Sequence, residues 1–337
     1  MNDLWFDASR LARWLSLRIA GGAAVDVACV RRVMGGLSAE TYQVSATWRG
    51  DGGEVARELI LRRDPATGLR RLSGGVEREF RVMSALHDSP APVPRVYALE
   101  LDPAWLERPF MVEEFVTGSS DRNLLNSVQY DAMRAEFGER FIQILADLHR
   151  LDVRASALQF LDDPGEGTEP AAREVARWEG LVEQTKQEPN PLLVEAFIWL
   201  KAHLPRAPRV SIVHGEFRPG NLLYEGSRII AVLDWEYAHL GDPVEDLGWA
   251  FLRQFRVWDR ESGLFPREEF LARYETKAGL AVDREAVLFW EVFSNVKVLA
   301  MLSDGQDAFA HKLVDGPLVS AVPGSNLQAE VARLIGL

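Results

Sequence analysis

The sequence predicts an α+β chain of two lobes, a small strand-rich one at the N-terminus and a larger helical one after it. Three observations point there. The chain has 337 residues, too many for one ordinary core and suited to two. From Gly21 to about Gly118 short extended stretches alternate with glycine breaks, whereas from Tyr130 onward long segments keep helical apolar spacing. With 47% hydrophobic and 26% charged residues, the composition is that of a globular protein, which excludes disordered and fibrous classes. The predicted domains are residues 1–116 and 117–337.

The first 22 residues, MNDLWFDASRLARWLSLRIAGG, read as an amphipathic helix. Acids at Asp3 and Asp7 and the lack of an unbroken apolar core argue against a signal peptide. Tyr42, Val44, Ala46 and Trp48 alternate with Thr41, Gln43, Ser45 and Thr47, the period-2 pattern of a strand buried on one face. Gly50, Gly52 and Gly53 mark a turn, and Glu58 to Arg62 reads as the returning strand. Leu72, Val76, Phe80 and Met83 predict a helix that ends before Pro90, Pro92 and Pro94. Pro109 to Val116 reads as a further strand.

In the second lobe Met133, Phe137, Phe141, Ile144, Leu148 and Leu151 keep the spacing of a helix with one face in a core. Asp162 to Pro170, DDPGEGTEP, reads as an exposed loop, and helices are expected near Arg267 to Gly279 and Asp283 to Ser303. No fixed-period repeat supports a solenoid or propeller. Charged or glycine positions interrupt every apolar stretch, so no membrane span is expected.

Lys plus Arg total 38 against 50 for Asp plus Glu, a net charge of −12. That balance disfavours nucleic acid and anionic lipid as partners. Cys29 is the single cysteine; it excludes an intrachain disulfide, reads as a small buried residue, and fits a reduced, cytoplasmic setting.

The chemistry concentrates in Ile212 to Phe251, IVHGEFRPGNLLYEGSRIIAVLDWEYAHLGDPVEDLGWAF. Asn221 to Tyr224 and Arg228 to Leu233 flank Glu225-Gly226 and predict a hairpin that carries Asn221 and Asp234 to the same end. An amide carbonyl and a carboxylate there suit one Mg²⁺, which takes hard oxygen ligands. Glu216, five residues before Asn221, adds a carboxylate on the loop entering the hairpin.

These residues resemble the aminoglycoside phosphotransferase family, whose fold is that of the eukaryotic protein kinases. The signature H-G-D-x-x-x-x-N, followed by D-x-x, stands here as His214-Gly215-Glu216-Phe217-Arg218-Pro219-Gly220-Asn221 and then Asp234-Trp235-Glu236, trailed by Gly241-Asp242-Pro243 and Asp246-Leu247. The central acid departs, Glu for Asp. The resemblance implies a two-lobed protein-kinase-like fold with Glu216 at the catalytic-base position, Asn221 and Asp234 on Mg²⁺, and His214 and Asp246 bracing the loop. Arg218 would help neutralise the moving phosphoryl group. Met34 to Tyr42 resembles the nucleotide-covering turn, with Gly35, Gly36 and Ser38 over the phosphates of ATP or GTP. Arg62 stands where the family has its strand lysine, and Glu79 where its helix glutamate pairs that cation. Glu113-Glu114-Phe115-Val116-Thr117-Gly118 resembles the hinge whose backbone meets the adenine edge.

The Leu61-Arg62-Arg63-Asp64-Pro65 strand end, the Arg78-Glu79-Phe80-Arg81 helix and Leu233-Asp234-Trp235-Glu236 most resemble the kinase-like domains fused to acyl-CoA dehydrogenases. Those act on hydroxyacyl-CoA thioesters, so the resemblance implies a phosphotransferase with a small-molecule hydroxyl acceptor, hydroxyacyl-CoA ahead of an aminoglycoside or macrolide. Two other classes stand beside it. Glu216 and Arg62, at positions the chemistry depends on, allow a nucleotide-binding module without transfer. His214, Asp234 and His239 with Glu216 as base allow a metal-dependent hydrolase, although no H-E-x-x-H spacing accompanies them.

Overall fold

The computed structural model describes residues 7–33, 39–65, 74–121, 131–184, 190–310 and 324–337. Contacts divide the chain into two units, Met1–His87 with Val93–Thr117, and Asp88–Pro92 with Gly118–Leu337. The short piece Asp88–Pro92 joins the second unit because the Val232 N–H donates to the Pro92 carbonyl at 2.7 Å.

The first unit is built on α1 (Ala8–Arg18), β1 (Val25–Val33), β2 (Glu40–Gly50), β3 (Gly53–Arg63), α2 (Gly75–Leu86), β4 (Val96–Glu100), the single turn α3 (Pro103–Leu106) and β5 (Phe110–Glu114). The Asp7 side chain caps α1 by accepting from the Ser9 N–H. The strands form an antiparallel sheet in the order β1-β2-β3-β5-β4. The alternation of β2 buries Tyr42, Val44 and Ala46, and Leu11, Trp14 and Leu15 of α1 pack on that face with Leu59, Leu61, Phe110 and Val112. Gly50 pairs with Gly53, which closes the predicted turn. β1 is an edge strand with most side chains outside, and its Cys29 is exposed rather than buried. The first position predicted for α2, Leu72, lies outside the described residues.

The second unit contains α4 (Asp131–His149), α5 (Glu169–Gln184), α6 (Pro191–Ala202), β6 (Ser211–Val213), β7 (Leu222–Glu225), β8 (Arg228–Val232), β9 (His239–Gly241), α7 (Val244–Ala250), β10 (Arg260–Glu261), β11 (Phe265–Pro266), α8 (Arg267–Ala278), α9 (Arg284–Ala310) and α10 (Gly324–Ile335). α4 buries Phe137, Phe141, Ile144 and Leu148, as its spacing predicts. β6 pairs with β9 and β7 with β8, both antiparallel. α7 lies tight against α9, where a side chain at Gly248 would collide with the Trp290 backbone. Within Arg284–Ser303 of α9 an 18-residue window has a mean hydropathy of 1.4, enough by length and composition to cross a membrane, which corrects the expectation that no stretch qualifies. Yet 78% of that window is buried within the structure, as in a central core helix.

Candidate active site

The site grows from the loop between β6 and β7, a segment fixed almost atom by atom from behind. Asp246, fully buried in the first turn of α7, accepts the His214 N–H at its Oδ2 and the Gly215 N–H at its Oδ1, both at 2.8 Å. The His149 ring at the end of α4 reaches the same carboxylate at 3.1 Å. Burial alone would raise the Asp246 carboxyl, but its hydrogen bonds with the charges around it hold it below the usual range. Asp246→Ala would leave two buried N–H groups unmatched, and a loss of about 3 kcal/mol of stability is expected in urea unfolding.

His214 has both ring nitrogens engaged. Nδ1 accepts the Glu216 N–H at 3.2 Å, so Nε2 carries the proton and donates to the Leu233 carbonyl at 2.9 Å. Burial pushes its basicity down, keeping the ring neutral. The imidazole therefore ties the loop before Glu216 to the residue before Asp234. It is a brace, and it has no nitrogen left for a metal. His239 faces Glu174 and Glu245 instead, so the trio His214, Asp234 and His239 does not form the hydrolase site the sequence allowed.

The β7–β8 hairpin pairs Leu222 with Val232, and the Leu233 N–H donates to the Asn221 carbonyl at 2.8 Å. Asn221 and Asp234 thus come to one end. The Asn221 Nδ2 donates to the Glu216 carbonyl at 3.0 Å, which assigns the remaining amide oxygen to whatever binds there. Asp234 sits in the left-handed region at φ +70°, a conformation costing about 1–2 kcal/mol outside glycine. Glu216, only 8% exposed, has its carboxyl pushed up to about 7, chiefly by burial and then by Asp234, against the pull of Lys297 and Arg218. Arg218 lies over the Phe255 ring, 5.5 Å from its centroid.

These residues set a carboxyl whose proton affinity is raised toward neutrality beside an amide oxygen and a second carboxylate. Hard oxygens at the end of one hairpin fit Mg²⁺, and a cation there would relieve the repulsion between Asp234 and Glu216.

In the first unit, Arg62 Nη2 lies 3.2 Å from Glu79 Oε2. Arg63 points to the other face, donating to Glu40 and to the Leu106 carbonyl. Glu113 and Glu114 are the last residues of β5, and the Glu114 N–H is taken by the Arg95 carbonyl at 2.8 Å. That amide is therefore held by the sheet, and an adenine ring nitrogen would have to meet a different backbone N–H. Gly35, Gly36 and Ser38 lie outside the described residues.

A sequence model of the Phosphotransferase enzyme family matches residues 30–289. The chain belongs to that family. Over 261 residues it is 31% identical to acyl-CoA dehydrogenase family member 10 of Mus musculus, covering 73% of this chain and 24% of that protein. Over 326 residues it is 26% identical to acyl-CoA dehydrogenase family member 11 of Homo sapiens, covering 92% and 40%. It spans between a quarter and two fifths of the length of these two curated relatives. Among solved structures it is similar to a protein of Ralstonia eutropha JMP134 provisionally assigned as an aminoglycoside phosphotransferase, with 24% identity, a TM-score of 0.71, and 98% of this chain and 96% of that one covered. It also resembles choline kinase LicA of Streptococcus pneumoniae, with 16% identity, a TM-score of 0.62 and 98% of each chain covered. A ternary complex of aminoglycoside phosphotransferase APH(4)-Ia with ADP and hygromycin B aligns at 14% identity and a TM-score of 0.60 over 97% of this chain and 98% of that one. The protein-kinase-like fold is the one the sequence predicts.

Two groups that shape the site escape sequence reasoning. His149 gives no signal, being one histidine at a helix end. Lys297, whose Nζ donates to the Gly215 carbonyl at 2.8 Å, does give one, since it is the lone charge in the run Val292 to Leu302.

Proposed function

We propose that the chain transfers the γ-phosphoryl group of ATP or GTP to a hydroxyl of a small molecule, with a hydroxyacyl-CoA thioester the favoured acceptor. The observation that carries this reading is the meeting of Glu216, Asn221 and Asp234 around the hairpin end. The acceptor hydroxyl gives its proton to the Glu216 carboxylate as its oxygen attacks the γ-phosphorus. The bond to the β–γ bridging oxygen breaks, and that oxygen keeps the electron pair as the nucleoside diphosphate leaves. Asn221 and Asp234 are the residues that would hold Mg²⁺, which when bound neutralises phosphate charge. Arg218, stacked on Phe255, is assigned to the moving phosphoryl group. Arg62, steadied by Glu79, is assigned to the α- and β-phosphates.

Arg62→Ala should weaken nucleotide binding by about 1–3 kcal/mol in calorimetry, the scale of a charge-assisted hydrogen bond left unmade. Arg63→Ala should instead lower the melting temperature, because Arg63 is buried against Glu40. The reverse pattern would mean that the wrong face of β3 has been assigned.

One feature supports the acceptor class: the relatives of higher identity are acyl-CoA dehydrogenase family members. The test is a screen of label transfer from γ-³²P-ATP and γ-³²P-GTP over hydroxyacyl-CoA thioesters, aminoglycosides, macrolides and choline. Label in a hydroxyacyl-CoA supports the proposal, and label confined to an aminoglycoside or choline overturns the acceptor.

A further inference from the structure

Lys297 projects from the middle of α9 and is 2% exposed. An ammonium taken from water costs several kcal/mol unless it is matched. Here it meets the ring faces of Tyr237, Trp249 and Trp178, at 5.0, 5.1 and 5.3 Å from their centroids. Glu245 Oε1 of α7 lies 3.8 Å away. Three rings and a carboxylate around one cation form an aromatic cage of the kind that receives ammonium ligands. In this chain the cage is filled from within.

Beyond the cage, the ammonium makes a directed hydrogen bond to the Gly215 carbonyl. Gly215 has φ +84°, and the place a Cβ would take is 3.0 Å from Tyr237 and 3.2 Å from the Lys297 Nζ. Glycine is needed for both the conformation and the close approach. Its N–H is held by Asp246 of α7 and its carbonyl by Lys297 of α9. Gly215, the residue directly before Glu216, is thus held at its N–H and at its carbonyl, on two successive peptide units, by two helices packed on one another.

We propose that Lys297 is a positioning residue for phosphoryl transfer, its ammonium seated in the Trp178–Tyr237–Trp249 cage so as to fix the Gly215 carbonyl and aim Glu216. The inference rests on the phosphotransferase reading for its kinetic consequence, but not for the cage. Loss of the ammonium frees the Gly215 carbonyl while leaving the nucleotide-binding residues of the first unit untouched. The expected defect is therefore in turnover rather than in binding. Removal of the whole side chain also vacates a site shaped and charged for a small alkylammonium.

Lys297→Met keeps most of the volume and loses the charge. It should fold, keep KM for nucleotide and acceptor within about threefold, and lose about 10- to 100-fold in kcat. Lys297→Ala should lose as much, and methylammonium chloride at about 50 mM should restore at least a tenfold share of the lost kcat, whereas sodium chloride at equal ionic strength should not. Methylammonium should also raise the melting temperature of Lys297→Ala while leaving wild type and Lys297→Met unmoved. Full kcat in Lys297→Met, or a melting temperature of Lys297→Ala indifferent to methylammonium, would overturn the proposal. The thermal arm needs no acceptor, so it stays readable even where the phosphotransferase reading itself fails.

Discussion

Replacing Glu216 by glutamine is expected to lower transfer by about 10²- to 10⁴-fold and, in the same protein, to raise stability above pH 7. Both effects come from one buried carboxyl. Burial and the neighbouring Asp234 push its proton affinity up from the ordinary 4.5 to about 7. The folded state therefore binds this proton more tightly than the unfolded chain does. Its stabilising contribution is complete below pH 4.5 and is lost as pH rises through 7. Above that, the ionised carboxylate costs the fold on the order of 1–3 kcal/mol. Glutamine keeps the shape and never ionises. Urea unfolding in the presence of a chelator should find the variant no more stable than wild type near pH 5 and more stable at pH 8. The same proton governs the rate, since Glu216 can accept the acceptor's proton only when ionised, so kcat/KM of wild type should rise with pH, with a midpoint below the metal-free value of about 7 because Mg²⁺ beside Asp234 relieves the repulsion. A variant less stable than wild type at pH 8 would show that the carboxylate is matched in a way this account omits.

Asp234→Ala is expected to abolish turnover, a loss of more than about 10³-fold, in a protein that still folds. The residue stands at the end of β8 in a left-handed conformation, where its side chain is not the core's. Alanine inherits the backbone strain, at a cost of about 1 kcal/mol. Calorimetry should show wild type binding nucleotide more tightly with Mg²⁺ than with chelator, and Asp234→Ala indifferent to the metal. Retention of the Mg²⁺ effect in the variant would remove Asp234 from the metal site.

Much of this was legible in the sequence where the pattern was long or the chemistry was dense. The alternation through β2 and the apolar spacing of α4 each repeat often enough to rise above chance. The hairpin around Glu225-Gly226 followed from turn residues between two apolar runs, and with it the approach of Asn221 to Asp234. β1 and β4 were hard to see because an edge strand and a half-buried five-residue strand bury too little to alternate clearly. β6 and β9, three residues each, are too short to show a period. α6 could have been anticipated from Asn190-Pro191, since Asn190 caps the helix and Pro191 opens it. The Arg62 and Arg63 faces follow from strand alternation, but which face meets Glu79 needs α2 in place. The bracing by His149 depends on helices far apart in sequence, so no local pattern carries it, and the lone charge of Lys297 in an apolar run marks the residue but not the carbonyl it reaches.

The central claim is that Glu216, Asn221 and Asp234 form a phosphoryl-transfer centre. The most direct measurement is a single turnover of γ-³²P-ATP with wild type, Glu216→Gln and Glu216→Asp, in the presence of Mg²⁺ and a hydroxyacyl-CoA thioester. The account predicts label on the acceptor hydroxyl with wild type and transfer slowed at least about 100-fold with Glu216→Gln. Equal transfer by wild type and Glu216→Gln, or a wild type that holds labelled nucleotide unreacted while Glu216→Asp transfers it, would contradict it.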